Sequence, residues 1–220
     1  MIDLHTHTFF SDGVLSPAEL VYRCMKNGCE AVALTDHADY SNLGFLIESA
    51  LYGAERLNRS YDIHVIAGVE LTYIPPGDIA EMISRARQLG AELVVVHGES
   101  PVERVPPGTN REAVQAGCDI LAHPGDITES ESEMAAEKGV FLELTTRRGH
   151  CRGNRNVAEK AAATGCKMVL NTDSHAPEDL LDERKVSAVL KQCRLEKDYY
   201  ETLLGNSREI LNRVKRQEKI

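Results

Sequence analysis

No run of eighteen or more apolar residues occurs in this 220-residue chain, so no segment is expected to cross a membrane as a helix. No C-x-x-C pair occurs among Cys24, Cys29, Cys118, Cys151, Cys166 and Cys193. In a chain of this length their even number is weak support for disulfides, and reduced, mostly core cysteines are expected. No basic segment leads into an apolar one at the start, so no signal peptide and a cytoplasmic location are expected. If His5 and His7 are functional, that start must be retained. An excess of positive charge is missing too. The formal net charge is −9 and the pI about 5.4, which argues against a general nucleic-acid or anionic-membrane surface but leaves room for a local basic pocket. Aromatic residues make up only 5%, which counts against stacking on long nucleic acids. Excess carboxylate does suit a protein that holds cations.

What is present is a core-forming composition, 42% hydrophobic, and one repeated phrase. A helical pattern, a glycine and a short apolar run recur at NGCEAVALTD (27–36), LGAELVVVH (89–97), AGCDILAH (116–123), KGVFLELT (138–145) and TGCKMVLNTD (164–173). Each glycine stands where a helix C-terminus calls for positive φ. Each apolar run suits a strand buried on both faces of a parallel sheet. MIDLHTH (1–7) and DIHVIAGVEL (62–71) complete seven strands. Ser16-Pro17-Ala18-Glu19 starts a helix that ends near Gly28. Further helices are expected near 44–60, 78–89, 109–116, 129–138, 154–164 and 183–193. A tail over roughly 196–218 reads as one or two more, with Asn206 as an N-cap candidate, and the basic RVKRQEK run (213–219) reads as a solvated helix face. There is no Ser/Gly linker. Sevenfold strand–helix alternation means an α/β fold, either a closed barrel or an open doubly wound sheet.

The polar residues discriminate between the two. Strand ends carry His5 and His7, His37, Glu70, His97, His123, and Asp173 with His175; only the sixth strand ends without one. In a closed parallel barrel all these ends share one face, whereas an open sheet offers only its switch point. In H-x-H on a strand both imidazoles point the same way. With Asp12, which could also be an ordinary Asp-Gly turn residue, nine ligand-type residues result, enough for two or three zinc, iron or manganese ions. A closely spaced metal pair suits phosphoester hydrolysis. His64 begins the third strand at the wrong end and reads as structural or exposed. After the sixth strand, TTRRGHCRGNR brings Arg147, Arg148, Arg152 and Arg155. These read as a phosphate clamp or as surface arginines, with Arg147, Arg148 and Arg155 taken as the substrate-binding candidates.

DLHTHTFFSDG, LTDH, VIAGVE, VVVHGE, LAHPG and NTDSHAP, in this order over residues 1 to about 180, resemble the motifs of the PHP family, named for polymerase and histidinol phosphatase. The resemblance implies a distorted (β/α)7 TIM-like barrel, here a single domain over 1–220 with 196–220 as a C-terminal helical extension. It implies up to three metals in a cleft at the strand C-termini. His5, His7, Glu70 and Asp173 would bind the first. Glu70 would bridge to a second, held by His97 and His123. Asp12, His37 and His175 would hold the third, although some relatives place His at the Asp12 position. The expected function is hydrolysis of a small phosphate monoester, histidinol-phosphatase-like, by a hydroxide bridging the metals. Glu70, Asp173 and His175 are its candidate catalytic residues, and the proton donor to the leaving group is open among His175, Asp39 and a metal-bound water. Rivals are a cyclic or mononucleotide phosphodiesterase or exonuclease, an amidohydrolase-type hydrolase, and a barrel kept as a non-catalytic binding module.

Overall fold

The computed structural model describes residues 1–217, so the end of the RVKRQEK run lies outside the described residues. The elements in order are β1 (Ile2–Asp3), α1 (Pro17–Lys26), β2 (Ala31–Leu34), β3 (His37–Ala38), α2 (Leu43–Ser60), β4 (His64–Leu71), α3 (Ile79–Gln88), β5 (Leu93–His97), α4 (Thr109–Ala116), β6 (Ile120–Ala122), α5 (Glu129–Lys138), β7 (Phe141–Thr145), α6 (Asn154–Thr164), β8 (Met168–Asn171), α7 (Glu183–Cys193) and α8 (Tyr199–Gln217). Local chemistry sets their limits. Ser16 accepts from the Glu19 amide with Pro17 at the first helical position, and Thr128 with Glu131 forms a reciprocal capping box on α5. Gly117, Gly139 and Gly165 end α4, α5 and α6 at φ of +73°, +68° and +72°, the conformation that glycine adopts without steric cost.

All described strand pairs are parallel, in the order β1-β2-β4-β5-β6-β7-β8. The short β3 follows β2 after a two-residue break and pairs with β4, so the ring is the expected seven-stranded one with its second strand interrupted. The fold is an α/β TIM-like barrel, nearly closed. Its seam lies between the first and last strands. Near the C-terminal end the backbones meet directly: Thr6 bridges Ser174, His7 N donates to Ser174 O at 2.9 Å, and Asp173 N donates to His5 O at 2.9 Å. One step below, side chains span the gap. Leu4 N donates to Asn171 Oδ1, and Thr172 donates through both its amide and its hydroxyl to the Asp3 carboxylate. There side-chain hydrogen bonds stand in for the backbone ladder, so the barrel is nearly rather than fully closed.

Strand residues alternate between two cores. Ile66, Leu93, Val95, Ile120, Ala122, Phe141 and Val169 point inward, whereas Val94, Val96, Leu121, Leu142, Leu144 and Leu170 face the helices. Burial of both faces explains why the runs read as continuously apolar. The floor of the barrel is closed by α8, whose Leu204, Ile210, Leu211 and Val214 join the inner core. The N-cap expectation for Asn206 is corrected here. Asn206 lies inside a single helix and donates through Nδ2 to Met168 O at 2.7 Å, tying α8 to β8. Packing of the apolar face against the barrel keeps the helix running through a residue that, in isolation, favours a start.

Candidate metal centre

Along β4 the inward positions run Ile66, Gly68, Glu70, and along β5 they run Leu93, Val95, His97. The same period-two face that fills the core thus delivers a polar donor once the strand reaches its C-terminal end. Seven of the chain's eight histidines gather at that end; the exception, His64, begins β4 at the opposite one.

Glu70 lies at the centre, fully buried. Its Oε1 is 3.2 Å from His5 Nε2 and 3.8 Å from His123 Nε2; its Oε2 is 3.6 Å from His7 Nε2 and 2.7 Å from His37 Nδ1. Asp173 faces it, with Oδ1 3.0 Å from His7 Nε2 and 3.8 Å from His5 Nε2, and Oδ2 3.6 Å from His123 Nε2. His37 Nδ1 also meets Thr72 Oγ1 at 2.7 Å, which leaves Nε2 turned to Asp12 Oδ1 at 3.6 Å. Asp12 Oδ1 is 3.1 Å from His175 Nε2. His97 and His123 pack edge-to-face with ring centroids 4.5 Å apart. All nine residues singled out in the sequence therefore converge. His123 and Asp173 hold φ of +31° and +53°, a conformation that costs a non-glycine residue about 1–2 kcal/mol and that concentrates at functional sites.

The protonation pattern follows from burial and crowding. Burial would raise Glu70, but the facing His5 and His37 outweigh it and hold the carboxyl well below its usual range. Burial, reinforced by neighbouring imidazoles, pushes His7 and His123 well below theirs, so both stay neutral with a lone pair to give. His37 is raised to about 9, Glu70 overcoming burial, and burial pushes Asp173 up to about 7 despite His5. Glu70 Oε1, His7 Nδ1 and His123 Nδ1 are buried without a hydrogen-bond partner. Neutral imidazoles, buried carboxylates and orphaned polar atoms converging at such distances fit divalent cations.

Three side chains at the site were not singled out. Glu143, fully buried on β7, meets His5 Nδ1 at 2.9 Å, accepts from Asn171 Nδ2 at 2.7 Å and from the His123 amide at 3.1 Å. His150, after β7, packs against His123 with ring centroids 4.2 Å apart and the planes tilted by 43°. Glu103, on the loop after β5, lies 3.7 Å from both His97 and His150. Only His150 left a signal, as a histidine in the arginine-rich segment; a mid-strand Glu and a loop Glu carry no pattern. Asp36, in LTDH, has a positioning role: it accepts from Thr8 N, Thr8 Oγ1 and Ser11 Oγ and so folds the loop that presents Asp12. The arginines do not join the cluster as a group. Arg147 pairs with Asp179 at 3.0 Å, Arg148 is exposed, and Arg155 pairs with Glu159 along α6. Asp39 is exposed and held ionised by hydrogen bonds from Ser41, which makes it a poor proton donor. Beside the cluster, a cleft of about 460 Å³ is bordered by Phe10, Asp12, His37, Asn42, Tyr73 and Glu103.

A barrel with this donor set at the C-terminal ends of its strands is built for metal-dependent hydrolysis. Comparison with known proteins makes the class specific: the PHP domain model matches residues 3–210, and the chain belongs to the PHP family. An uncharacterized protein of Methanocaldococcus jannaschii is 48% identical over 96% of this chain and 99% of its own length. A Shewanella piezotolerans protein named "Probable phosphatase" is 28% identical over 96% of this chain and 91% of its own. Among solved structures, a chain of an archaeal ribonuclease P with mature tRNA superposes with a TM-score of 0.74 at 16% identity, covering 100% of this chain and 94% of that one, a likeness of fold. Among the described residues no helix is long and apolar enough to cross a membrane.

Proposed function

We propose that this protein is a phosphatase that hydrolyses a small-molecule phosphate monoester, histidinol-phosphatase-like in type. The observation that carries the reading is Glu70, buried among histidines of all three candidate sets, with Oε1 near His5 and His123 and Oε2 near His7 and His37, so that each oxygen meets one imidazole of the first set and one of another. His5, His7 and Asp173 would hold one ion with Glu70, His97 and His123 a second, and Asp12, His37 and His175 a third. Such mixed imidazole and carboxylate sets are the ones zinc, iron and manganese accept. When bound, the ions supply Lewis-acid chemistry at the phosphoryl oxygens and lower the pKa of water.

The chain's own side chains do the rest. His175 holds Nδ1 on the Asp173 carbonyl at 2.9 Å with Nε2 3.1 Å from Asp12 Oδ1, and in this reading its imidazolium would hand a proton to the leaving oxygen when no third ion is bound. Arg147 ties Asp179, which accepts from the His175 amide, and so steadies that rim; phosphate contact falls to exposed Arg148. The pairing of Arg155 with Glu159 directs it elsewhere. A cleft of about 460 Å³ and a net charge of −9 favour a small substrate over a long polyanion.

The test is a panel of phosphomonoesters, cyclic and linear phosphodiesters and amides, offered to metal-replete protein, with tRNA binding measured in parallel. Release of inorganic phosphate from monoesters is expected. Cleavage confined to diesters or amides, or tRNA binding with no hydrolysis, would instead favour the nuclease, amidohydrolase or binding-module reading.

A further inference from the structure

Two loops meet above His97 and His123, and their contacts serve one side chain. The loop after β5 is closed on itself: Glu99 Oε1 accepts from the amides of Gly108 and Asn110, and Asn110 Oδ1 accepts from the Glu99 amide. This fixes Ser100 and Glu103. The segment after β7 packs so tightly that a Cβ on Gly153 would come within 2.3 Å of the Gly125 Cα, just beyond His123. Between these loops sits His150, 6% exposed. Its Nδ1 meets Ser100 Oγ at 2.8 Å, which fixes the ring and leaves Nε2 to face inward. Its ring centroid is 4.2 Å from that of His123 and 5.7 Å from that of His97. The three histidines each offer a ring nitrogen, and these atoms lie within 4.8 Å of one another. Glu103 Oε2 is 3.7 Å from both His97 Nε2 and His150 Nε2. That is long for a hydrogen bond and close to the roughly 3.4–3.6 Å between donors sharing one ion with bonds of about 2.1 Å.

We propose that His150 is a third imidazole ligand of the cation held by His97 and His123, with Glu103 as an exchangeable carboxylate at the same ion. The inference rests on the metal reading above but adds a donor from the one strand whose end lacks a ligand-type residue. Three imidazoles with one buried carboxylate oxygen from Glu70 give a nitrogen-rich set that leaves one position for Glu103 to take and give up, which suits zinc or cobalt over manganese. Ser100 is then a positioning residue, because it holds the imidazole through the nitrogen that does not bind the ion. Glu103, half-exposed, occupies the position that a substrate oxygen would take.

The experiment is titration of chelator-stripped full-length protein with Co²⁺ alone, followed by its visible absorption and by elemental analysis after dialysis. Wild-type protein is expected to hold two or three ions, one of which gives an intense visible band. His150→Ala should weaken that ion at least tenfold and reduce the band, and Ser100→Ala should give a smaller shift of the same sign. Glu103→Gln should alter the band while the ion stays bound. Titrations of His150→Ala that match wild type overturn the proposal and leave the function reading standing. Should His150→Ala lose its fold by circular dichroism, Ser100→Ala decides, and an unchanged band there overturns it. Wild-type protein that takes up no Co²⁺ overturns both this proposal and the metal reading beneath it.

Discussion

At the scale of single residues, the site depends on groups that touch no substrate. Glu143 uses both oxygens, toward His5, Asn171 and the His123 amide, with no access to water. Glu143→Gln must set an N–H against a donor, so a loss of roughly 2–4 kcal/mol in stability and of 10–100-fold in metal affinity is expected, read by urea unfolding and metal titration. Asp3 gives a pH signature. Burial pushes its carboxyl from 3.8 up to about 6 even with Thr172 donating to it. The folded state thus holds this proton more tightly than the unfolded one. Asp3 contributes its stability below about pH 4 and loses it as the pH rises through about 6. Two pKa units at about 1.4 kcal/mol each make that loss about 3 kcal/mol. Unfolding of metal-free Asp3→Asn against wild type should therefore favour the variant more at pH 7 than at pH 4; a gap that stays constant contradicts the account. Both residues were illegible in the sequence for one reason. Eight of the nine donors stand at strand ends, where repetition exposes them, whereas Glu143 and Asp3 interrupt apolar strands as isolated acids.

At the scale of elements, the sequence was most legible where chemistry is local. Glycine C-caps, the Ser16 and Thr128 caps and the period-two strands are each written in a few neighbouring residues, and their elements form where those residues stand. The tail was less legible because α8 is continuous through contacts with the barrel floor, which lie far away in sequence. The Asp12 loop lies between these cases. Asp-Gly reads as a turn, but a Cβ at Gly13 would come within 2.5 Å of the His7 carbonyl oxygen, so the glycine is required for the loop to fold back on the first strand. Asp36 clamps the same loop from the second strand. Gly13→Ala should displace Asp12 and lower stability by about 1–3 kcal/mol. Elemental analysis should find the third ion reduced while two remain; retention of all ions with unchanged affinity would show that Asp12 is a turn residue only.

At the scale of the whole molecule, the barrel closes through the residues that form the site. The direct backbone bonds at the seam involve His5, His7, Asp173 and Ser174, so ions held at the His5, His7 and Asp173 side chains would also join the first strand to the last. Removing them should loosen the seam first. A ligand present at a hundred times its Kd contributes about 2.7 kcal/mol. Chelation is therefore expected to lower the Tm by about 5–10 °C for each ion removed and to raise hydrogen exchange at residues 4–8 and 171–175 before the α8 floor. Uniform loosening across the barrel would contradict a site that staples the seam.

The central claim is that one metal cluster, built from opposite sides of the barrel, hydrolyses a phosphate monoester. The most direct measurement pairs phosphate release with metal content in wild type and in the His5→Ala, His97→Ala double variant. The account predicts two or three ions and turnover in wild type, with both lost together in the double variant while the circular dichroism of the barrel persists. Phosphate release that survives in the metal-depleted double variant would contradict it.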